Sequence, residues 1–567
     1  MAGVNAANAP LKDSSVRSPL VLRSRLAKSF ENLGNGEPMS NKLANQLIAG
    51  LLGLHFLLII STFRDYGMSW DQPGLHEYGQ TVVRFYTSLG RDHAAQTHEL
   101  RIYGGLFEIL SSVVEGLTHL GWLEARNLTS ALFGLLGTWA SFRLGAIAFG
   151  PLVGLTAALF LTLTPTYYGH EFINPKDIPF AALYLLSLYY VVKMALDFPD
   201  LRWSNSLKAG LAIGATLGVR AGGLILFPLL VGAIFVSLLW NVQKRVLRVL
   251  VGRLLTTGVM HAVEVVLLAW LVMLLSWPFA WKANQWRPFL WAPFVALREF
   301  SHFTWYGPGI FFEGRLFKPT ELPSHYLVTI FANCLPEFIL AGWLLGLIAL
   351  LRVSYSGRRA LHRKSLAAII IFAASVTPLA FIIITHAPLY DNFRHVLFAV
   401  PPLIILSAAG VLAVVESVKN QTIRLVCVIA YTLAILTTIA DMRALHPYEY
   451  TYFNHLIAGG MEQANQRFEI EYWGTSFREA ADWLKEYYRP LGVSEITYTS
   501  NSLPEMVDYY MRQAPTGGVA FRRTLPGEKA KVYLFFRRLS QQTEPGFGHV
   551  VHMIEREGVP FLDIVEL

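Results

Sequence analysis

Long apolar stretches, separated by short polar or basic segments, set the rhythm of the chain from residue 46 to residue 440. A helix needs about 20 apolar residues to cross a bilayer. On that measure the pattern predicts eleven spans, at 46–63, 127–149, 151–168, 178–196, 208–221, 223–240, 255–277, 326–351, 366–385, 395–416 and 422–440. Residues 1–45 are polar, lack the compact apolar core of a cleavable signal peptide, and read as a flexible cytoplasmic tail. Beyond residue 440 the rhythm changes. Alternating stretches at Glu495–Tyr498 and Lys531–Phe536, with a helix expected at Ser476–Tyr488, predict a small α/β domain over 441–567. The expected fold is mainly α: a polytopic body over 46–440, a long first outer loop with amphipathic helices, and that C-terminal domain.

Charge orients the pattern. Residues 241–253 carry Lys244, Arg245, Arg248 and Arg253 without an acid, and residues 352–364 carry Arg352, Arg358, Arg359, Arg363 and Lys364 without one. Basic loops stay on the cytoplasmic side, so an odd number of spans puts 441–567 outside. The outer face then receives 64–126, 169–177, 278–325 and 441–567. Only 15% of the 567 residues are charged and 53% are hydrophobic, where soluble domains average about 25% charged. That excludes a disordered chain and an ordinary cytosolic enzyme. The net charge of +8 sits in clusters between apolar runs, so no nucleic-acid partner is expected. The two cysteines, Cys334 and Cys427, lie in apolar stretches and suggest no disulfide framework or metal motif.

Ionisable residues at membrane depth are costly and usually functional, and several gather at the outer level. Asp71, on a Pro/Gly-bent segment after the first span, can act as a general base toward a hydroxyl or be a solvated loop carboxylate. The 167–180 turn holds His170, Lys176 and Asp177; Asp177 alone also fits a helix cap. Arg220 interrupts apolar residues beside Gly222 and Gly223, which suits either a bound phosphate or an arginine snorkelling to the headgroups. Tyr390 and Arg394 add a ring and a second cation before the tenth span. His302 lies in the Trp-rich 278–325 segment, whose aromatics fit an interfacial belt or a groove for a lipid chain. No P-loop and no GxGxxG in a strand–helix setting is present. The set implies a substrate with a phosphate and a long hydrocarbon tail, and a nucleophile that a carboxylate can deprotonate.

Five motifs in order carry a family resemblance: Trp70-Asp71-Gln72-Pro73-Gly74, Asn174-Pro175-Lys176-Asp177-Ile178-Pro179-Phe180, Gly214–Arg220, Asp391-Asn392-Phe393-Arg394-His395, and Leu445–Asn454 with Glu471-Tyr472-Trp473-Gly474. With them the chain resembles GT-C fold glycosyltransferases, in the phospholipid-carrier-dependent bacterial branch related to protein O-mannosyltransferases and the lipid A aminoarabinose transferase (glycosyltransferase family 39-like). The resemblance implies a polyprenyl-phosphate sugar donor, transfer to an acceptor hydroxyl with inversion, and Asp71 as general base. It implies Arg220, Lys176 and Arg394 at the donor phosphate. Relatives carry Asp-Glu where this chain has Asp71-Gln72, which leaves one carboxylate. Where they carry a basic Pro-Pro-Leu motif, the counterpart here is Arg101-Ile102-Tyr103-Gly104-Gly105-Leu106, so Arg101 and Tyr103 join the candidates. No cofactor is expected, and a divalent metal stays open. The expected partners are the lipid-linked donor, a glycan, lipid or protein acceptor, and membrane lipids, in a bacterial inner membrane. A transporter or flippase of lipid-linked sugars is the competing reading.

Overall fold

The computed structural model describes residues 39–242, 251–282, 286–302, 307, 309–355, 363–512, 519–525, 527–538 and 546–567. The tail up to residue 38 and the basic residues Lys244, Arg245, Arg248, Arg358 and Arg359 lie outside them. Among the described residues, eight helices are long and apolar enough to cross a membrane, or nine if one bent pair counts as a span. The chain is a mainly helical, multi-pass membrane protein.

The first crossing, α1 (Asn41–Thr62), starts where the Ser40 hydroxyl accepts from the Leu43 N–H. Two amphipathic helices, α2 (Gln72–Thr87) and α3 (Leu106–Thr118), then lie in the first loop, before α4 (Trp122–Phe149) re-enters. The expected span 151–168 is broken into α5 (Pro151–Thr162) and α6 (Pro165–Ile173), bent by 64°. Pro165 has no N–H to continue the ladder, and the bend turns Tyr167–Ile173 back into the protein, where all of α6 is buried.

Next, α7 (Asp177–Asp197) is 83% buried across its apolar window and forms the axis of the body. It packs against α4, against α8 (Trp203–Leu217) and against α9 (Leu226–Val242). The helix α8, over the expected span 208–221, has only 15 residues, fewer than the about 20 of a straight crossing. After α10 (Val259–Ser276) and α11 (Trp286–Ser301), a two-stranded hairpin, β1 (Ile310–Phe312) with β2 (Arg315–Phe317), crosses the loop. The expected span 326–351 is also two pieces, α12 (Tyr326–Cys334) and α13 (Glu337–Tyr355), parted at Leu335-Pro336 for the same reason as at Pro165. The remaining crossings are α14 (Arg363–Thr385), α15 (Val400–Ser417) and α16 (Gln421–Leu445). Among the described residues this measure therefore does not confirm the count of eleven: two of the expected stretches are bent or broken at proline, and a third is short.

Beyond α16 the chain does not leave the body at once. Tyr448, Tyr450, Tyr452, Tyr472 and Trp473 are all buried, and they join the membrane core to the C-terminal core as one continuous apolar cluster. The helix α17 (Phe477–Tyr488) precedes a five-stranded sheet. Its strands are β3 (Glu495–Ser500), β4 (Ala520–Arg523), β5 (Val532–Phe536), β6 (His549–Arg556) and β7 (Val559–Glu566), with α18 (Pro504–Arg512) between β3 and β4. The order is β4-β3-β5-β7-β6; β3 runs parallel to β4 and β5, and β7 antiparallel to β5 and β6.

Candidate active site

At one end of the body, four segments far apart in sequence bring opposite charges together. Asp71 sits at the start of α2. Its Oδ2 accepts from Lys176 Nζ at 2.7 Å and from Arg394 Nη1 at 3.0 Å. Asp177, 2% exposed, holds Arg220 in an ion pair, with Arg394 Nη1 at 3.8 Å from its other oxygen. Arg394, 3% exposed, gives its other nitrogen, Nη2, to Asp391 at 2.8 Å. Three cations thus meet three carboxylates, of which Asp177 and Asp391 are buried and Asp71 remains 28% exposed. That exposure leaves it reachable by a substrate.

Local sequence explains each position. Asn174 Oδ1 accepts from the Asp177 N–H at 3.0 Å, while its amide donates to the Asp177 carboxylate at 3.0 Å. The Asp177 carboxylate therefore takes side-chain partners rather than capping helix N–H groups. Arg220 turns inward to Asp177 and not out to the headgroups. It follows the end of α8, where Gly104 N–H donates to Val219 O at 3.2 Å and Leu106 N–H to Gly218 O at 3.0 Å. A Cβ on Gly104 would fall 1.9 Å from Gly218 O, so only glycine permits this approach. The same contact sets the Tyr103 ring 5.0 Å from Lys176 Nζ and 5.9 Å from the Arg220 guanidinium. Asp391 and Asn392 both have positive φ, 55° and 64°, a conformation uncommon outside glycine but tolerated best by Asn and Asp. That turn aims Asp391 back at Arg394. Arg394 is stacked between rings, 4.9 Å from Tyr390 and 4.5 Å from Trp473.

The electrostatics follow from this packing. Burial penalises the Asp71 charge, but Lys176 and Arg394 outweigh the penalty and hold its carboxyl well below the usual range. Burial likewise disfavours the Lys176 ammonium, and Asp71 with Tyr103 more than offsets it, keeping the amine above its ordinary value. Burial pushes the Tyr390 phenol up to about 12, against the pull of Arg394 and Lys176. Asp71 and Lys176 are therefore both charged at neutral pH. Among the described residues, no group of three or more His, Cys, Asp or Glu side chains converges as metal ligands.

Residues 123–263 match the family described as dolichyl-phosphate-mannose-protein mannosyltransferase. Over that segment the chain is similar to this family. The matched segment contains His170, Lys176, Asp177 and Arg220. No curated protein matches the chain significantly. Among solved structures, ArnT from Cupriavidus metallidurans bound to undecaprenyl phosphate is similar at 14% identity, covering 93% of this chain and 98% of that one, with a TM-score of 0.47. The Archaeoglobus fulgidus oligosaccharyltransferase tethered with an acceptor peptide is similar at 11% identity, covering 85% of this chain and 61% of that one, with a TM-score of 0.43. The similarity to the mannosyltransferase family rests on the 123–263 segment and not on these loose overlays.

Of the residues singled out from the sequence, Asp71, Lys176, Asp177, Arg220, Arg394, Tyr103 and Tyr390 meet in this cluster. His170 lies one layer behind: Asn174 Nδ2 donates to its Nδ1 at 3.2 Å, and its Nε2 faces the Tyr472 hydroxyl at 3.2 Å. Arg101 is not brought in. It pairs with Glu299 at 3.0 Å, and its carbonyl accepts from Trp277 Nε1. His302 is exposed at the end of α11, with Nδ1 2.8 Å from Arg298 O. Gln72 is fully buried: its Oε1 accepts from the Ser69 N–H and its amide donates to Asn127, bracing the loop that presents Asp71. The sequence pattern did not single out Asp391, Trp473 or Arg538 as site residues. The first two lie in quoted motifs, which was the available signal. Arg538 had none.

Proposed function

We propose that the chain is a membrane glycosyltransferase that moves a sugar from a polyprenyl-phosphate donor to an acceptor hydroxyl at the outer face, with inversion. One observation carries the reading: a single reachable carboxylate, Asp71, lies within 3.0 Å of two cations, Lys176 and Arg394, beside a third, Arg220, anchored on Asp177. The acceptor oxygen attacks the anomeric carbon, and the bond from that carbon to the phosphate oxygen breaks. Asp71 takes the acceptor proton, and the negative charge on the leaving phosphate falls on Lys176, Arg220 and Arg394. Before donor arrives, Asp71 is the counter-ion of two of those cations. The incoming phosphate competes for them, and an Asp71 relieved of its cations is a stronger base.

The expected topology has the N-tail cytoplasmic and 441–567 outside, in a bacterial inner membrane. A single cysteine placed at Ser500, in a chain lacking Cys334 and Cys427, should be labelled from the outside only; labelling from the cytoplasmic side contradicts the orientation. The function is tested by following a labelled polyprenyl-phosphate sugar. A transferase leaves free polyprenyl phosphate, whereas a flippase leaves the lipid-linked sugar intact on the other leaflet.

A further inference from the structure

The C-terminal domain contributes a charge to the back of this cluster. Arg538 follows β5 and is 9% exposed. Its Nη2 pairs with Asp391 Oδ1, its Nη1 donates to Tyr472 O at 3.3 Å, and its Nε lies 3.4 Å from Glu469 Oε1. The other Asp391 oxygen, Oδ2, is the one held by Arg394 Nη2. Two arginines therefore divide one buried carboxylate, an oxygen each. Arg394 keeps its second nitrogen, Nη1, for Asp71 and Asp177.

That division has a consequence for Arg394. A guanidinium and a carboxylate prefer two parallel hydrogen bonds. With Arg538 gone, Asp391 is a buried carboxylate with one cation left, and the fork of Arg394 can close on both of its oxygens. Nη1 then leaves the side of the cluster that faces Asp71. The end of β5 is firmly held in place. Arg537 Nε donates to Asp563 at 2.7 Å, Phe536 N–H donates to Asn501 at 2.8 Å, and the Phe536 ring packs edge-on against Trp70 at 5.8 Å. Tyr472 O, which accepts from Arg538, also accepts from Trp70 Nε1 at 2.7 Å, one residue before Asp71. The segment thus ties the C-terminal domain both to the loop bearing Asp71 and to the Trp473 ring under Arg394.

We propose that Arg538 is a positioning residue of the donor-phosphate site: by occupying one oxygen of Asp391 it holds Arg394 Nη1 toward the phosphate, so the C-terminal domain completes the site. This rests on the donor reading above. The test uses the full chain in nanodiscs and undecaprenyl phosphate as the probe, with Kd and Tm measured for each protein. Arg538→Gln should weaken binding by about tenfold or more, the scale of one charge-assisted contact. Arg538→Lys should recover part of it, since a charge returns without the fork. Arg538→Gln combined with Asp391→Asn should bind better than Arg538→Gln alone, because the acid that captures Arg394 is gone. A residue that only docks the domain predicts otherwise: Tm falls, Kd of the folded protein does not move, and the second substitution adds a further loss. An Arg538→Gln Kd equal to wild type, or a double variant no better than the single one, overturns the proposal. Failure of the wild type to bind undecaprenyl phosphate removes the donor reading, and this inference with it.

Discussion

Asp71→Asn separates the two roles given to this residue. The amide keeps the shape of the carboxylate and can still accept from Lys176 or Arg394, which lie 2.7 and 3.0 Å away. It cannot take a proton. General-base catalysis contributes about 10²–10⁴-fold, so turnover should fall by that factor, about 3–5 kcal/mol on the barrier. Binding should move the other way. The wild-type carboxylate competes with the donor phosphate for two cations, and a hydrogen bond to a charged group has a net worth of about 1.5–3 kcal/mol. Returning half of one such bond tightens phosphate binding by roughly three- to tenfold. The assay is turnover with a polyprenyl-phosphate sugar alongside Kd for undecaprenyl phosphate, on protein of unchanged elution profile. Turnover within about threefold of wild type, or a Kd weaker than wild type, refutes the reasoning. The first outcome removes the base; the second makes Asp71 a scaffold for the cations rather than their placeholder.

Arg220→Ala should weaken undecaprenyl phosphate binding and turnover together, with Arg220→Lys between the two; an unchanged Kd takes Arg220 out of the site. Gly104→Ala should cost about 1–3 kcal/mol of stability and loosen the hold on Tyr103 and Arg220, because its Cβ meets Gly218 O; a Tm equal to wild type contradicts that contact. Burial raises the Glu469 carboxyl to about 7, against the pull of Arg538. Between its ordinary value of 4.5 and about 7 the folded protein therefore holds a proton that the unfolded chain has given up, and stability falls as pH rises through that window. Glu469→Gln should flatten Tm against pH between about 5 and 8; parallel curves for variant and wild type contradict the assignment.

The hydropathy pattern told most of the fold because lipid forces apolar residues onto every exposed face of a crossing helix. It missed the breaks within 151–168 and 326–351 because a window average passes smoothly over Pro165 and Pro336, whose effect is on the backbone and not on hydropathy. The site was legible where a charge interrupted an apolar run. Lys176, Arg220 and Arg394 stand out for that reason, and Asp71 by its place after the first span. Arg101 looked as suitable as Tyr103 on spacing alone, yet Glu299, 198 residues away, takes its charge. No local signal could reveal that pairing. Arg538 is the harder case. It sits in a polar domain where arginines are ordinary, and only the packing of β5 against the 469–473 segment gives it Asp391 as a partner.

The central claim is that the cation cluster receives a lipid-linked sugar and that Asp71 activates its acceptor. The most direct measurement follows radiolabel from a panel of undecaprenyl-phosphate sugars in membranes containing either the wild-type chain or Asp71→Asn. For one sugar of the panel, the account predicts that wild type moves label from the lipid to an acceptor and leaves an equal amount of undecaprenyl phosphate, while Asp71→Asn binds the donor and leaves it whole. Label that stays on the lipid in the wild type but crosses to the other leaflet, unaffected by Asp71→Asn, would contradict it.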